Sequence, residues 1–297
     1  MATPPGAPES DLAGEQYRRC AVIGSPISHS LSPVIHQAAY DWLGLDWVYD
    51  RHEVTAEGVA SFVAGLDRRW RGLSVTMPCK QAIVELGQPD DVVVALGVAN
   101  TVIFDGDPGF RSTTRVVNTD VTGVELVLGR AGVGANDDLV VFGNGATARS
   151  CVYAAARLGL GTVRVFGRAV ATSARLARDA AGWGIEVQPI TSDPTVDAVS
   201  ASDFDGATVI STVPAAVALR WLPPESTPSL VFDVLYDPWP TGLVSRAARR
   251  GIAVATGLDL LAAQAVGQVA TMTGSHVPFA VLRQAGARAL GLSGDDQ

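Results

Sequence analysis

Polar side chains that can bind a small ligand and exchange a proton with it collect at the ends of predicted strands. Ser30 and Ser32 lie in the segment SHSLSP, and Thr76 and Lys80 lie in SVTMPCK. The segments ANT and NTD add further polar side chains, namely Asn100, Thr101, Asn118, Thr119 and Asp120. Ligands of open α/β sheets bind outside the carboxyl ends of the strands. Because each segment follows a predicted strand, we expect all of them to face one cleft.

A glycine-containing turn marks a second site. The sequence VVFGNGATA places Gly143, Gly145 and Ala148 in the pattern G-x-G-x-x-A, after an apolar strand and before an Ala-rich helix. Such a turn lets the backbone approach a pyrophosphate at the N-terminus of the helix. We expect the turn to hold a dinucleotide at Gly143, Asn144, Gly145 and Ala146. The alternative is an ordinary tight turn between a strand and a helix.

The next strand indicates which dinucleotide binds. The run TVRVFGR ends at Gly167 and Arg168, without the acidic residue that bonds the ribose 2′-hydroxyl of NAD. A guanidinium suits the 2′-phosphate of NADP, which it contacts through two hydrogen bonds. The sequence therefore favours NADP as the cofactor. The alternative is that Arg168 is a surface arginine in contact with solvent only.

The elements that position these residues follow from the periodicity. Short Val- and Ile-rich runs alternate with Ala- and Leu-rich runs, which is typical of βαβ units and a mostly parallel sheet. In the first helix we expect Ser32 as the N-cap, Pro33 as the first helical residue and Gly44 at the end. Pro78 is predicted to open another helix. The runs ANTVIF and TTRVV are predicted to pair across a turn.

The predicted fold class is α/β, with an N-terminal α/β substrate domain and a Rossmann-type cofactor domain built on a doubly wound parallel sheet. We place the substrate-binding catalytic domain at residues 17–117 and the cofactor domain at 118–256. The C-terminal helices, within residues 257–297, are expected to pack back on the first domain. Residues 1–16, which are rich in Pro and Ala, are expected to form a disordered tail. We also expect the cleft to close by hinge motion.

Composition argues against several classes of protein. The net charge of −8 disfavours binding to nucleic acid or to an anionic membrane, and no apolar run reaches the about 20 residues of a membrane span. Cys20, Cys79 and Cys151 form no Cys-x-x-Cys pair, which fits a reducing cytoplasm. The four histidines form no metal-binding pattern, so no metal is expected. The apolar strands of the first domain would support a homodimer.

Seven motifs, taken in chain order, resemble those of the shikimate dehydrogenase family. They are GSPISHSLSP, SVTMPCK, ANT, NTD, GNGATA, DVLYDPWPT and GLDLLAAQ, and they extend from Gly24 to Gln264. Each motif alone is unspecific, whereas the ordered set is highly specific. The resemblance implies an oxidoreductase that reversibly reduces 3-dehydroshikimate to shikimate with NADPH, a step of aromatic amino-acid biosynthesis.

The same resemblance implies roles for individual residues. Lys80 and Asp120 would be the catalytic pair, titrating together while the lysine stabilises and protonates the substrate oxygen. The substrate would contact Ser30, Ser32, Thr76, Asn100, Gln264 and Tyr236, and the cofactor would also contact Gly257. Without the motif matches, Lys80 would be a solvated lysine, Asp120 an acid favoured by a helix dipole and Gln264 a core amide. Cys79 has no partnered base, so a thiol nucleophile is not expected.

The chain departs from the family pattern at several positions. Ser74 stands where the family commonly has Asn, and Cys79 stands where it often has His or Phe. The family's Asn-Arg-Thr cofactor signature is replaced by Gly167, Arg168 and Ala169. The arginine is therefore retained without its two polar neighbours.

Three functions stay open at this point: a shikimate dehydrogenase, a quinate or aminoshikimate dehydrogenase with either NADP or NAD as its cofactor, and a non-catalytic ligand sensor. Quinate adds one hydroxyl and aminoshikimate exchanges one group, so the sequence hardly distinguishes these substrates. The missing acid beside Arg168 argues against NAD. Intact Lys80 and Asp120 argue against a sensor, which needs no group for proton transfer.

Overall fold

The fold is described from a computed structural model, which covers residues 17–108, 110–191 and 199–292. The expected tail at residues 1–16 lies outside the described residues. The first part of the described chain builds a six-stranded sheet. Its elements are β1 (Arg18–Gly24), α1 (Ser32–Leu43), β2 (Trp47–Glu53), α2 (Val59–Ala64), β3 (Trp70–Val75), a 3₁₀ helix (Ala82–Leu86), β4 (Gln88–Pro89), α3 (Asp91–Leu96), β5 (Thr101–Phe104), a 3₁₀ turn (Arg111–Thr113) and β6 (Thr114–Val117).

This first sheet is mixed rather than mostly parallel. Its strand order is β2-β1-β3-β5-β6-β4, and β5 runs antiparallel to both β3 and β6. Asn100 therefore precedes a strand, and the expectation that it follows one is wrong. Because β5 is reversed, its first residue nevertheless lies at the edge where β1, β3 and β6 end. The polar segments thus share one edge of the sheet.

The second part of the described chain builds another six-stranded sheet, and all of its strand pairs are parallel. Its order, β12-β11-β10-β7-β8-β9, is the doubly wound Rossmann order, with the topological switch point between β7 and β10. The elements are α4 (Thr119–Arg130), β7 (Leu139–Phe142), α5 (Ala146–Arg157), β8 (Thr162–Gly167), α6 (Val170–Ala181), β9 (Glu186–Thr191), a 3₁₀ turn (Ala201–Phe204), β10 (Thr208–Ser211), α7 (Ala215–Trp221), β11 (Leu230–Asp233), α8 (Gly242–Arg249), β12 (Ala253–Thr256), α9 (Gly257–Thr273) and α10 (Phe279–Ala289).

The parallel sheet is covered on both faces, which is why its strands read as continuous apolar runs. In β7, Val141 packs in a cluster with residues of α4 and α5. Its neighbours Val140 and Phe142 point the other way, into a cluster that contains Phe166 and Trp221. Every residue of β7 is buried, so the strand holds the glycine turn that follows it on a rigid support.

The two C-terminal helices pack on the first sheet and on α1. Leu258 of α9 and Leu282 of α10 share a buried cluster with Ile35 of α1. Gly72 of β3 allows α9 to approach, because a Cβ at this residue would lie 2.9 Å from Cγ of Met272. We propose, as the sequence suggests, that residues 17–117 with these helices form one domain and residues 118–256 the other. Among the residues that the structure describes, no helix is long and apolar enough to cross a membrane.

Two local predictions are wrong. Helix α1 begins at Ser32 with Leu31 as its N-cap, and the Ser32 amide donates to Oγ of Ser30 at 3.3 Å. The preceding serine therefore supplies the contact expected of Ser32. Pro78 opens no α-helix. The Ala99 amide donates a hydrogen bond to the Lys80 carbonyl at 2.9 Å, so this carbonyl bonds a distant segment of the chain and not the amide four residues later, as it would in an α-helix. A short 3₁₀ helix follows instead.

Candidate active site

Lys80 and Asp120 form an ion pair at the edge of the first sheet. Nζ of Lys80 donates to Oδ2 of Asp120 at 2.6 Å, although 40 residues separate them. The lysine side chain is 15% exposed and the aspartate side chain 4% exposed. The lysine follows β3, and its backbone carbonyl accepts a hydrogen bond from the Ala99 amide, which holds this residue in place. An ion pair so far removed from water keeps a short, directed geometry.

The aspartate owes its orientation to the start of α4. Asn118 is the N-cap of this helix, and its side chain accepts hydrogen bonds from the amides of Asp120 and Val121. Asp120 lies in the first turn, where the helix dipole favours a carboxylate. Its second oxygen, Oδ1, accepts from Nδ2 of Asn100 at 2.9 Å. Both carboxylate oxygens therefore have a donor.

Asn100 is the centre of a buried hydrogen-bond network. It is 1% exposed, and its Oδ1 accepts from the Thr119 amide at 2.8 Å. Its Nδ2 also lies 3.1 Å from Oε1 of Gln264. Asn100 is not among the residues that line the cavity described next, so the structure places it behind the ion pair.

A cavity of about 520 Å³ opens at this edge. Eight of the predicted site residues line it, including the glycine that starts α9: Ser30, Ser32, Thr76, Lys80, Asp120, Tyr236, Gln264 and Gly257. Ser30 and Ser32 are 7% and 5% exposed, so their hydroxyls are largely removed from bulk water. Burial raises the pKa of the Tyr236 hydroxyl, which therefore stays protonated at neutral pH and is available as a hydrogen-bond donor.

A second cavity, of about 440 Å³, lies at the glycine turn. Gly143, Asn144, Gly145 and Arg168 line it, whereas Ala146 is half-buried and lines neither cavity. Thr212, directly after β10, lines both cavities. The two spaces therefore meet at the switch point of the parallel sheet, where ligands of doubly wound sheets bind.

The turn is open to a dinucleotide because of its glycines. Gly143 has a φ of 110° and a Cβ there would lie 2.3 Å from Oγ1 of Thr212, so a side chain would fill the space between the two strands. A Cβ at Gly145 would meet nothing within 4 Å, and α5 begins with the next residue, Ala146. The exposed backbone at the N-terminus of a helix is the arrangement that binds a pyrophosphate.

Sequence reasoning missed several residues of the first cavity. Gln268 and Ser74 line it and belong to a chain of hydrogen bonds. The Tyr49 hydroxyl donates to Ser74 Oγ at 2.5 Å, Ser74 donates to Gln268 Oε1 at 2.9 Å, and Gln268 Nε2 reaches Thr101 Oγ1 at 3.2 Å. The signal for Gln268 was its spacing of four residues from Gln264 on an otherwise apolar helix, which puts both amides on one face. Thr212 could be found as the polar residue after a buried parallel strand.

A further signal for Lys80 is its uniqueness. It is the one lysine in the 297-residue sequence, and the other 21 of the 22 Lys and Arg residues are arginines. An ammonium can lose its proton at an accessible pH, whereas a guanidinium does not. Cys79 beside it is buried, its Sγ donates to the Val54 carbonyl at 3.1 Å, and burial raises its pKa. A thiolate nucleophile therefore has no support at this position.

A parallel sheet in the Rossmann order, with a glycine turn facing a polar cavity on a second sheet, defines the dinucleotide-binding α/β class. Residues 22–102 match the family model of the shikimate dehydrogenase substrate binding domain. The shikimate dehydrogenase (NADP(+)) of Methanocella arvoryzae is 32% identical, with 91% of this chain and 98% of that protein covered. The chain therefore belongs to the shikimate dehydrogenase family.

Solved structures agree with this assignment. The crystal structure of Mycobacterium tuberculosis shikimate dehydrogenase has a TM-score of 0.80 at 33% identity, covering 91% of this chain and 99% of that chain. Shikimate 5-dehydrogenase from Thermus thermophilus, solved in complex with NADP(H) and shikimate, has a TM-score of 0.74 at 26% identity. That match covers 92% of this chain and 100% of the Thermus chain. Both similarities extend over the two sheets.

Proposed function

We propose that the protein is an NADP-dependent shikimate dehydrogenase, which reversibly reduces 3-dehydroshikimate to shikimate. The observation that carries the proposal is the ion pair of Lys80 and Asp120, 2.6 Å apart, in a polar cavity that adjoins the glycine turn at Thr212. The names of the relatives, shikimate dehydrogenase (NADP(+)), support both the substrate and the cofactor.

The lysine is suited to the proton transfer. NADPH, when bound, supplies the hydride that reduces the ketone. Negative charge then develops on the ketone oxygen, where the Lys80 ammonium stabilises it and donates a proton. In the direction of oxidation the neutral amine takes the hydroxyl proton back. Asp120 holds the lysine in place through the hydrogen bond to its Nζ.

The remaining lining residues fit a small hydroxylated acid. Ser30 and Ser32 offer hydroxyl donors that can bond a carboxylate without burying a second full charge. Thr76, Gln264 and the Tyr236 hydroxyl are available for the ring hydroxyls. Asn100 lies behind the pair, and we propose that it acts on the substrate chiefly through its bonds to Asp120 and Gln264.

The glycine turn fits the cofactor. The backbone of the turn, exposed at Gly145, would hold the pyrophosphate at the start of α5, and Arg168, which lines the same cavity as Gly145, would contact the 2′-phosphate. Gly257 lines the cavity on the substrate side, and its lack of a side chain allows the start of α9 to approach Leu235, whose carbonyl carbon would lie 2.5 Å from a Cβ there.

A panel of steady-state rates tests the proposal. Shikimate, quinate and aminoshikimate are each assayed with NADP and with NAD by the absorbance of the reduced nicotinamide. We expect kcat/KM to be highest for shikimate with NADP. A higher value for quinate or aminoshikimate would make the protein a dehydrogenase of that substrate. Tight binding of shikimate without turnover under any condition would favour a ligand sensor.

We further propose that the protein works in the cytoplasm, as the three separate cysteines suggest, all of them free thiols in the structure. A homodimer stays a prediction, and sedimentation velocity of the purified protein tests it.

A further inference from the structure

The turn after β8 carries Arg168, whose side chain has few contacts that would fix its position. Arg168 is exposed, and among the described residues its guanidinium makes no hydrogen bond or ion pair. Its neighbours, Gly167 and Ala169, have no polar side chain with which to fix the turn. An arginine that reads a phosphate needs a defined backbone position, since its long side chain loses much rotational freedom on binding.

Asn144 provides contacts that hold this turn. Its Nδ2 donates to the Ala169 carbonyl at 3.2 Å and to Oγ of Ser173 at 2.9 Å. Ser173 lies on α6 and is 1% exposed. One side chain of the glycine turn thus contacts both Ala169, the N-cap of α6, and the first turn of that helix, directly after Arg168 in the chain.

Gly167 makes room for this bridge. A Cβ at Gly167 would lie 2.5 Å from Nδ2 of Asn144 and 2.9 Å from Oγ of Ser173. Gly167 is not among the glycines with positive φ, so its backbone conformation is open to any residue. Space is therefore the reason for a glycine here, and the occupant of that space is the Asn144 amide.

We propose that Asn144 is a positioning residue that fixes the turn bearing Arg168 and thereby sets the preference for NADP over NAD. The proposal rests on the proposed function only in taking NADP as the cofactor. Asn144 and Gly167 then act as one unit: either substitution opens the same bridge. The effect should be specific to NADP, because NAD lacks the 2′-phosphate that Arg168 is proposed to contact.

Direct binding of NADP and NAD to the full-length protein, measured by calorimetry, tests the proposal. We expect Asn144→Ala to raise the Kd for NADP about tenfold, the equivalent of two lost hydrogen bonds of ordinary net strength, and the Kd for NAD less than twofold. Gly167→Ala should have the same effect, because its Cβ displaces the amide. The double variant should be no weaker than either single variant.

The Arg168→Ala background separates positioning from a general structural role. In that background Asn144→Ala should no longer change the ratio of the two Kd values. An equal loss of affinity for NADP and NAD, additive effects of the two substitutions, or an effect that persists without Arg168 would each overturn the proposal. Thermal unfolding of every variant identifies any that fails to fold, and Ser173→Ala, which removes one of the two acceptors, then provides the second test with a smaller loss of the same specificity.

Failure of the positioning role of Asn144 can be distinguished from failure of the proposed function. A wild-type protein that binds NADP more tightly than NAD but does not oxidise shikimate would contradict the function and leave the positioning role testable by the same titrations.

Discussion

Asn100 donates a hydrogen bond to Oδ1 of Asp120 at 2.9 Å, the carboxylate oxygen that Lys80 leaves free. The aspartate is thus fixed from two sides, with one carboxylate oxygen bonded to Asn100 and the other to Lys80. Asp120→Asn keeps the shape and removes the charge. We expect kcat for shikimate oxidation to fall about 100-fold, within the range for loss of an acid–base group, with a smaller change in KM.

Initial rates with saturating NADP measure the effect of Asp120→Asn. Asp203→Asn, at an exposed residue of a 3₁₀ turn, is the matched control and should behave as the wild type. A kcat for Asp120→Asn within twofold of the wild type would contradict the role of the carboxylate.

Arg168 is expected to distinguish the two cofactors. Arg168→Ala removes the cation beside the predicted 2′-phosphate, so KM for NADP should rise about tenfold or more, the usual size of a charge-assisted contact. KM for NAD, which has no such phosphate, should change little. Arg175→Ala, at an exposed position of α6, serves as the control. Equal increases for both cofactors would show that Arg168 does not read the phosphate.

The hydrogen-bond chain that contains Ser74 and Gln268, in the wall of the cavity, is expected to stabilise the fold. Ser74→Ala leaves the buried Tyr49 hydroxyl without its acceptor and Gln268 Oε1 without its donor. We expect the free energy of unfolding to fall by about 1–3 kcal/mol, the cost of unsatisfied buried polar groups. Urea denaturation measures it.

Tyr49→Phe supplies the control for Ser74→Ala, since it removes the other hydroxyl of the same bond. The double variant should be less destabilised than the sum of the single variants, because Tyr49→Phe removes the hydroxyl that Ser74→Ala alone would leave unsatisfied. Full additivity would mean that the two hydroxyls do not interact.

His36 should make stability depend on pH. It is fully buried, its Nδ1 lies 2.9 Å from the Ser32 carbonyl, and burial lowers its pKa from 6.5 to about 4. Between these pH values the unfolded chain binds the proton and the folded chain does not. The free energy of unfolding therefore falls as pH falls through this window, by about 3 kcal/mol at most.

Urea denaturation of the His36→Gln variant between about pH 4.5 and about pH 7.5 tests this dependence, because this range covers most of the interval between the two pKa values. Its stability should decline less on acidification than that of the wild type. His276→Gln, at an exposed position, should decline as the wild type does. Identical slopes for His36→Gln and wild type would contradict the assignment.

The parts of the fold that local sequence determines were predictable. The glycine turn between an apolar strand and an Ala-rich helix predicted the parallel sheet and the N-terminus of α5, and the structure has both. Gly44 ends α1 in the left-handed conformation, as expected of a glycine after the last apolar turn. These features depend on neighbours in the chain and need no distant contact.

Features set by distant contacts were not predictable. The Ala99 amide withdraws the Lys80 carbonyl from helix formation, and no pattern near Pro78 shows this. The reversed direction of β5 brings Asn100 to the site from the start of its strand. Edge strand β9 was also missed, because its residues Glu186–Thr191 are mostly exposed and include a proline, which is characteristic of an edge position.

Shikimate oxidation by the Lys80→Ala variant, with NADP at saturation, is the decisive measurement of proton transfer by this lysine. We expect kcat to fall at least about 100-fold, while calorimetry shows that shikimate still binds. A kcat that equals that of the wild type would contradict the assignment of proton transfer to this lysine.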